Sequence, residues 1–99
     1  MTISKTWINE ALNIHLEGRL DASTASLLEE ALISAFNEAK KIEIDFSGLA
    51  YVSSAGLRVL LLCHKVAKEK AVYMMIKGVS EDIMDVFEIT GFSAILNIE

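Results

Sequence analysis

The chain has 99 residues, 53% of them hydrophobic, which predicts one folded domain over residues 1–99. Its formal net charge of −5 argues against binding to nucleic acid, whose phosphates attract basic surfaces. No apolar run approaches the roughly 20 residues that a membrane span needs, and the amino-terminal residues lack the pattern of a secretory signal. Because a single cysteine, Cys63, cannot form an internal disulfide, the composition fits a reducing compartment, and we expect a cytoplasmic protein.

The first part of the chain predicts two strands and a helix. Residues 3–8 are the expected first strand, and the pair Asn9-Glu10 suggests a hairpin to the second. In that second strand, at residues 12–17, apolar and polar side chains alternate with a period of two. Asp21 and Ser23 are candidate caps for the helix that follows, whose apolar spacing continues to about residue 39.

The rest of the chain continues the alternation of strands and helices. Residues 42–46 and 72–76 have the period of strands, and a helical pattern lies between them from about residue 56 to residue 70. A third helix is expected at residues 81–90, with a serine before it and a glycine after it. Residues 96–98 suggest a last short strand.

Strands that alternate with helices pair in parallel through right-handed crossovers, which predicts an α/β fold. Parallel strands that are buried on both faces are apolar throughout, whereas these strands alternate. We therefore predict a mainly parallel sheet of four to five strands in chain order, with the helices mostly on one face. On the other face, four polar residues should be more exposed than their apolar neighbours: Asn13, His15, Glu17 and Glu43.

Partner and ligand sites of open α/β sheets lie at the carboxyl ends of strands, in the loops that enter helices. Three such loops are expected, at residues 18–21, 47–55 and 77–80. The middle loop places Ser53 and Ser54 directly before a helix. Most serines in this position are plain caps, which accept a hydrogen bond from an unpaired backbone N–H.

Two motifs resemble one known family. The run at residues 44–57, IDFSGLAYVSSAGL, closely resembles the signature of STAS domains of the anti-sigma factor antagonist type. The run at residues 16–21, LEGRLD, resembles the other motif of that family at matching separation. The resemblance covers essentially the whole chain and implies a single STAS domain.

The resemblance also implies a function in partner switching and transcription regulation. The unphosphorylated antagonist would capture an anti-sigma factor that is also a serine kinase, which frees the sigma factor. Phosphorylation of the antagonist would release the kinase, and a PP2C-type phosphatase would reset the cycle. The phosphoacceptor of the family aligns with Ser54.

Two neighbours of Ser54 depart from the family pattern. Ser53 stands where an acidic residue is common, and Ala55 stands where serine or threonine is common. Ser53 is therefore the second candidate acceptor, and Ser54 remains the first because a helix entrance accommodates a phosphate best. The partner-binding surface is expected to include six residues: Asp21, Asp45, Ser53, Gly56, Arg58 and Ser80. Two of them have alternative roles, Asp21 as a helix cap and Asp45 as a brace for the following loop.

Other functions remain as alternatives. A STAS accessory subunit of a membrane transporter would use the same fold to dock on an ATPase or a carrier. An enzyme with Ser54 as nucleophile is disfavoured, because Val52 occupies the first glycine position of a G-x-S-x-G elbow and no base is evident. His15 and His64 lie far apart in the chain without carboxylates at ligand spacing. We expect no metal, no other cofactor and no catalytic residue.

Overall fold

The computed structural model describes residues 1–99. Two strands, β1 (Thr2–Ile8) and β2 (Ala11–Leu20), precede the first helix, α1 (Ala25–Ala35). The remaining elements are β3 (Lys41–Val52), α2 (Ser54–Glu69), β4 (Tyr73–Lys77), α3 (Glu81–Thr90) and a 3-10 turn at Phe92–Ala94. None of these helices is both long enough and apolar enough to cross a membrane.

The four strands form one sheet in chain order, β1-β2-β3-β4. β1 and β2 are antiparallel and form the predicted hairpin, in which Asn9 takes the left-handed conformation (φ 56°) that asparagine tolerates well. β2 pairs with β3, and β3 with β4, in parallel. The prediction of a mainly parallel α/β sheet in chain order is confirmed.

The core lies between one face of the sheet and the helices. The central strands contribute seven side chains that are at most 2% exposed: Leu12, Ile14, Leu16, Leu20, Ile42, Ile44 and Phe46. The helices contribute Leu28, Leu32, Leu60 and Phe87, which are fully buried. Full burial of one such side chain contributes about 1.5–3 kcal/mol, so this layer is the main source of stability.

The polar face of the sheet is less open than predicted at one position. Glu17 is exposed, and His15 and Glu43 are half-buried, but Asn13 is only 7% exposed. Asn13 lies on the central strand β2, in register with Thr6 on one side and Glu43 on the other. Side chains on both neighbouring strands therefore shield it from solvent.

Both central strands are longer than predicted, so the expected loops at residues 18–21 and 47–55 are wrong over most of their length. β2 continues to Leu20 and β3 to Val52, because these segments pair with each other. Two irregularities in the register, between His15 and Glu17 and between Gly18 and Arg19, interrupt the period-two pattern. The last residues of β2 and β3 therefore lack the alternation of apolar and polar side chains that usually indicates a strand.

Two other boundaries also differ from the prediction. α1 ends at Ala35, and hydrogen-bonded turns follow it. The Glu38 N–H and the Ala39 N–H both donate to the Ala35 carbonyl, at 2.9 Å and 3.0 Å. The expected last strand is a single bridge between Ile98 and Ile76. The sheet therefore has four strands.

Candidate functional site

Ser53 and Ser54 occupy different positions at the amino end of α2. Ser53 is the N-cap, with an extended backbone, and its Oγ accepts a hydrogen bond from the Gly56 N–H at 3.4 Å. Ser54 is the first residue of the helix, and its side chain is exposed. Both serines were candidate caps from the sequence, and in the structure Ser53 is the cap.

The start of α2 packs directly on the end of β2. The Ser53 N–H donates to the Leu20 carbonyl at 2.8 Å. Gly56 is buried against the same residue, and a Cβ at position 56 would stand 2.6 Å from Leu20 Cγ. Glycine at position 56 therefore lets the helix approach the strand, and the close contact holds Ser54 in place at the edge of the sheet.

Asp21 organises the turn between β2 and α1. Its Oδ1 accepts hydrogen bonds from the Ser23 hydroxyl at 2.7 Å and from the Ser23 N–H at 3.0 Å. These bonds hold the pKa of Asp21 below its usual value, and the bond from the Ser23 hydroxyl has the largest effect. The N-cap of α1 is Thr24, so the prediction that Asp21 or Ser23 caps this helix is wrong. Both residues brace the turn before it.

Asp45 lies away from the edge at which Ser54 is found. It is seven positions before Val52 on β3, which is roughly 20 Å of strand. Its Oδ1 accepts from the Ser47 N–H at 3.0 Å, and its Oδ2 lies 3.0 Å from His15 Nδ1. Burial would raise the pKa of Asp45, but these hydrogen bonds outweigh it and hold the pKa below its usual value. This is the bracing role that was the alternative interpretation.

Arg19 and Tyr51, which the sequence analysis did not single out, also lie at this edge. They are register partners at the ends of β2 and β3, and the Arg19 guanidinium carbon lies 4.2 Å from the centroid of the Tyr51 ring. Arg19 Nε is 3.9 Å from Asp21 Oδ2. Tyr51 is 41% exposed, which suits a contact with a partner because tyrosine and arginine are enriched at interface centres. Both residues fall within the two motifs, but only the strand register brings them together.

Arg58 and Ser80 complete the set of predicted site residues. Arg58 is exposed on α2 and borders an open groove of about 490 Å³ between α1 and α2, opposite Ala22 and Glu29. Ser80 is the N-cap of α3, and its Oγ accepts from the Ile83 N–H at 3.3 Å. The bond from the Ser53 N–H to the Leu20 carbonyl brings Asp21, Ser53 and Ser54 to one edge of the sheet. Lys77, at the end of β4, is in register with Asp45, so the loop that leads to Ser80 passes beside Asp45 and Ser47 instead.

The two histidines and the cysteine do not form a catalytic or metal-binding group with the residues at this edge. His15 lies on the polar sheet face, whereas His64 is buried in α2, where its Nε2 has no hydrogen-bond partner. Burial raises the pKa of Cys63 to about 12, which keeps this thiol in its unreactive protonated form. No group of three or more His, Cys, Asp or Glu side chains is arranged to hold a metal ion.

Comparison with known proteins points to one family. A family model described as "Mlab, STAS domain" matches residues 3–97. An anti-sigma-B factor antagonist of Listeria monocytogenes is 32% identical over 89 residues, which cover 89% of this chain and 78% of that protein. An anti-sigma factor antagonist from Mycobacterium paratuberculosis has a similar structure, with a TM-score of 0.82 at 19% identity over 98% of this chain and 83% of that one. The Bacillus cell fate determinant SpoIIAA in its phosphorylated form has a TM-score of 0.74 at 18% identity, over 99% and 91% of the two chains.

Proposed function

Because the chain belongs to the STAS domain family of anti-sigma factor antagonists, we propose that it is a partner-switching regulator controlled by phosphorylation of Ser54. While Ser54 is unmodified, the protein binds an anti-sigma factor that is also a serine kinase, in the cytoplasm. Phosphorylation of Ser54 releases that kinase. The observation that carries the proposal is the exposure of Ser54 at the first position of α2.

The chemistry of the site suits this modification. The kinase transfers the γ-phosphoryl group of its own ATP to Ser54 Oγ, the hydroxyl proton passes to a base of the kinase, and ADP is the second product. A phosphate at this position meets free N–H groups and the positive end of the α2 dipole, so the fold accommodates it. A PP2C-type phosphatase would restore the hydroxyl by hydrolysis.

A phosphate on Ser54 is sufficient to weaken a complex without remodelling the domain. It adds about −1.5 to −2 charges to an exposed position. A like-charge conflict within an interface costs several kcal/mol, and about 1.4 kcal/mol already changes affinity tenfold. SpoIIAA, which has the same fold, exists in a phosphorylated form, and this supports the same chemistry for the present chain.

The contacts of the two serines favour Ser54 over Ser53 as the acceptor. Ser53 is half-buried and its Oγ accepts the cap bond from Gly56. A phosphate there would have to displace that bond, whereas Ser54 is free of the cap role. Tyr51 and Arg19 add an exposed aromatic and cationic surface beside the acceptor, to which the kinase would dock.

Incubation with the cognate kinase and ATP, followed by mass spectrometry, tests the acceptor. We expect one phosphate on Ser54 in the wild type and in Ser53→Ala, and none in Ser54→Ala. Phosphate on Ser53, or on Ser54→Ala as readily as on the wild type, would contradict the proposal.

A pull-down from native lysate tests the partner class. The wild type should capture a small ATP-binding kinase, and Ser54→Glu should capture much less of it because the added carboxylate imitates the phosphate charge. Capture of an ATPase subunit of a transporter by both forms would instead support a STAS accessory subunit, which is the alternative function.

A further inference from the structure

Both arginines of the chain lie near the Ser54 edge, and one of them is already engaged. Arg19 pairs with Asp21 at 3.9 Å and stacks on the Tyr51 ring at 4.2 Å. Arg58 takes part in none of the five ion pairs of the chain.

Arg58 is placed to reach a group attached to Ser54. The two residues are four positions apart on α2, and side chains at this spacing share a helix face with about 5–6 Å between their Cβ atoms. Both are exposed. The arginine side chain is long enough to reach a phosphate on Ser54 without backbone movement, and its guanidinium binds phosphate through two parallel hydrogen bonds.

Acidic side chains near Arg58 offer little competition for it. Asp21 is occupied by Ser23, Thr24 and Arg19. Glu29 borders the same groove from α1, but it forms no ion pair with Arg58. A phosphate carries about twice the charge of a carboxylate and would stand one helical turn away.

We propose that Arg58 is the intramolecular receptor for the phosphate of Ser54, so that phosphorylation withdraws this guanidinium from the partner. In the unmodified protein Arg58 is free to bind an acidic group of the anti-sigma kinase. Phosphorylation therefore changes the docking surface twice, since it adds an anion and occupies the cation beside it. This inference rests on the proposed function for its biological role, but the contact itself depends only on the modified chain.

The contact can be tested without any partner. Phosphoserine is incorporated at position 54 during translation, and the pKa of its phosphate is measured by ³¹P NMR titration. We expect this pKa to be about 0.2–0.4 pH units lower in the otherwise wild-type protein than in Arg58→Gln. Lys65→Gln, which removes the same charge from α2 three turns from Ser54, should leave the pKa unchanged. Equal values in the wild type and Arg58→Gln would overturn the proposal.

A second measurement tests the withdrawal of Arg58 from the partner. Binding of the anti-sigma kinase is compared for the wild type and Arg58→Gln, each with serine and with phosphoserine at position 54. We expect phosphorylation to weaken the wild type at least about threefold more than the variant. An equal loss in both would show that Arg58 has no part in the release. If no such kinase binds either unmodified protein, the proposed function fails, while the NMR titration still decides the contact.

Discussion

Two neighbouring serines at the amino end of α2 differ in what they contribute to stability. Ser53 accepts the cap bond from Gly56, whereas Ser54 is exposed at the first helical position. We expect Ser53→Ala to lower the free energy of unfolding by about 0.5–2 kcal/mol and Ser54→Ala to lower it by less than about 0.5 kcal/mol. Urea denaturation of both variants measures the difference. A larger loss in Ser54→Ala than in Ser53→Ala would show that the cap is assigned to the wrong residue.

Gly56 allows the closest contact between α2 and β2. An added Cβ would lie 2.6 Å from Leu20 Cγ, so Gly56→Ala should lower the free energy of unfolding by about 1–3 kcal/mol despite the better helix propensity of alanine. A double-mutant cycle with Leu20→Ala provides the control. Because the smaller side chain makes room for the new methyl group, Gly56→Ala should cost less in that background. Strictly additive losses would argue against the steric explanation.

At the scale of elements, the polar face of the sheet contains a histidine between two carboxylates. His15 Nδ1 lies 3.0 Å from Asp45 Oδ2, and Nε2 lies 3.1 Å from Glu17 Oε1. The hydrogen bond to Asp45, followed by the one to Glu17, raises the pKa of His15 above 6.5. A raised pKa means that protonation favours the folded state. The contribution is therefore complete below pH 6.5 and is lost as the pH rises through the folded-state pKa.

This link between β2 and β3 predicts a pH-dependent effect of His15→Gln. The free energy of unfolding should fall more in this variant at about pH 5.5 than at about pH 8, since only the protonated imidazole gains from both carboxylates. Urea denaturation of the wild type and the variant at both values measures it. A loss that does not change with pH would mean that the histidine is not paired with Asp45 and Glu17 in solution.

The pKa of the other histidine, His64, is shifted in the opposite direction, so its effect on stability has the opposite pH dependence. Burial in α2, followed by the charge of Lys68, lowers the pKa of His64, so the neutral form favours the folded state. Its contribution is present above pH 6.5 and is lost as the pH falls through the lower folded-state pKa. We therefore expect His64→Leu to become more stable relative to the wild type as the pH falls from about 7.5 to about 5. A constant difference over that range would contradict the lowered pKa.

At the scale of the whole molecule, one buried thiol reports on the integrity of the core. Cys63 is 0% exposed, and burial, followed by the charge of Glu29, raises its pKa to about 12. Because the thiolate is the reactive form, a thiol reagent should modify Cys63 only when the protein opens. The labelling rate in native buffer, compared with the rate in urea, measures this opening. Rapid labelling of the native protein would show that the helix layer is looser than described.

The architecture of the whole molecule could be predicted because its signals are local. Alternation with a period of two marks the first part of β2 and of β3, and β4, and helical spacing marks α2 and α3. With short connections and parallel pairing, such elements can form few topologies, so the chain-order sheet with helices on one face followed directly. Ser54 could be singled out because its motif lies within one continuous stretch of sequence.

The amino-acid sequence by itself determined the fold class, the order of the strands and the position of the serines at a helix start. The tertiary structure alone decided which serine is the cap, which residues join Ser54 at the edge, and how far β2 and β3 extend. Arg19 meets Tyr51 only because the strands pair in a register shifted by irregularities, and Asn13 is buried only because strands flank it on both sides. Pairing of this kind depends on residues distant in the chain. The last parts of β2 and β3 show no periodic pattern, because the irregularities in register interrupt the alternation on which sequence analysis relies.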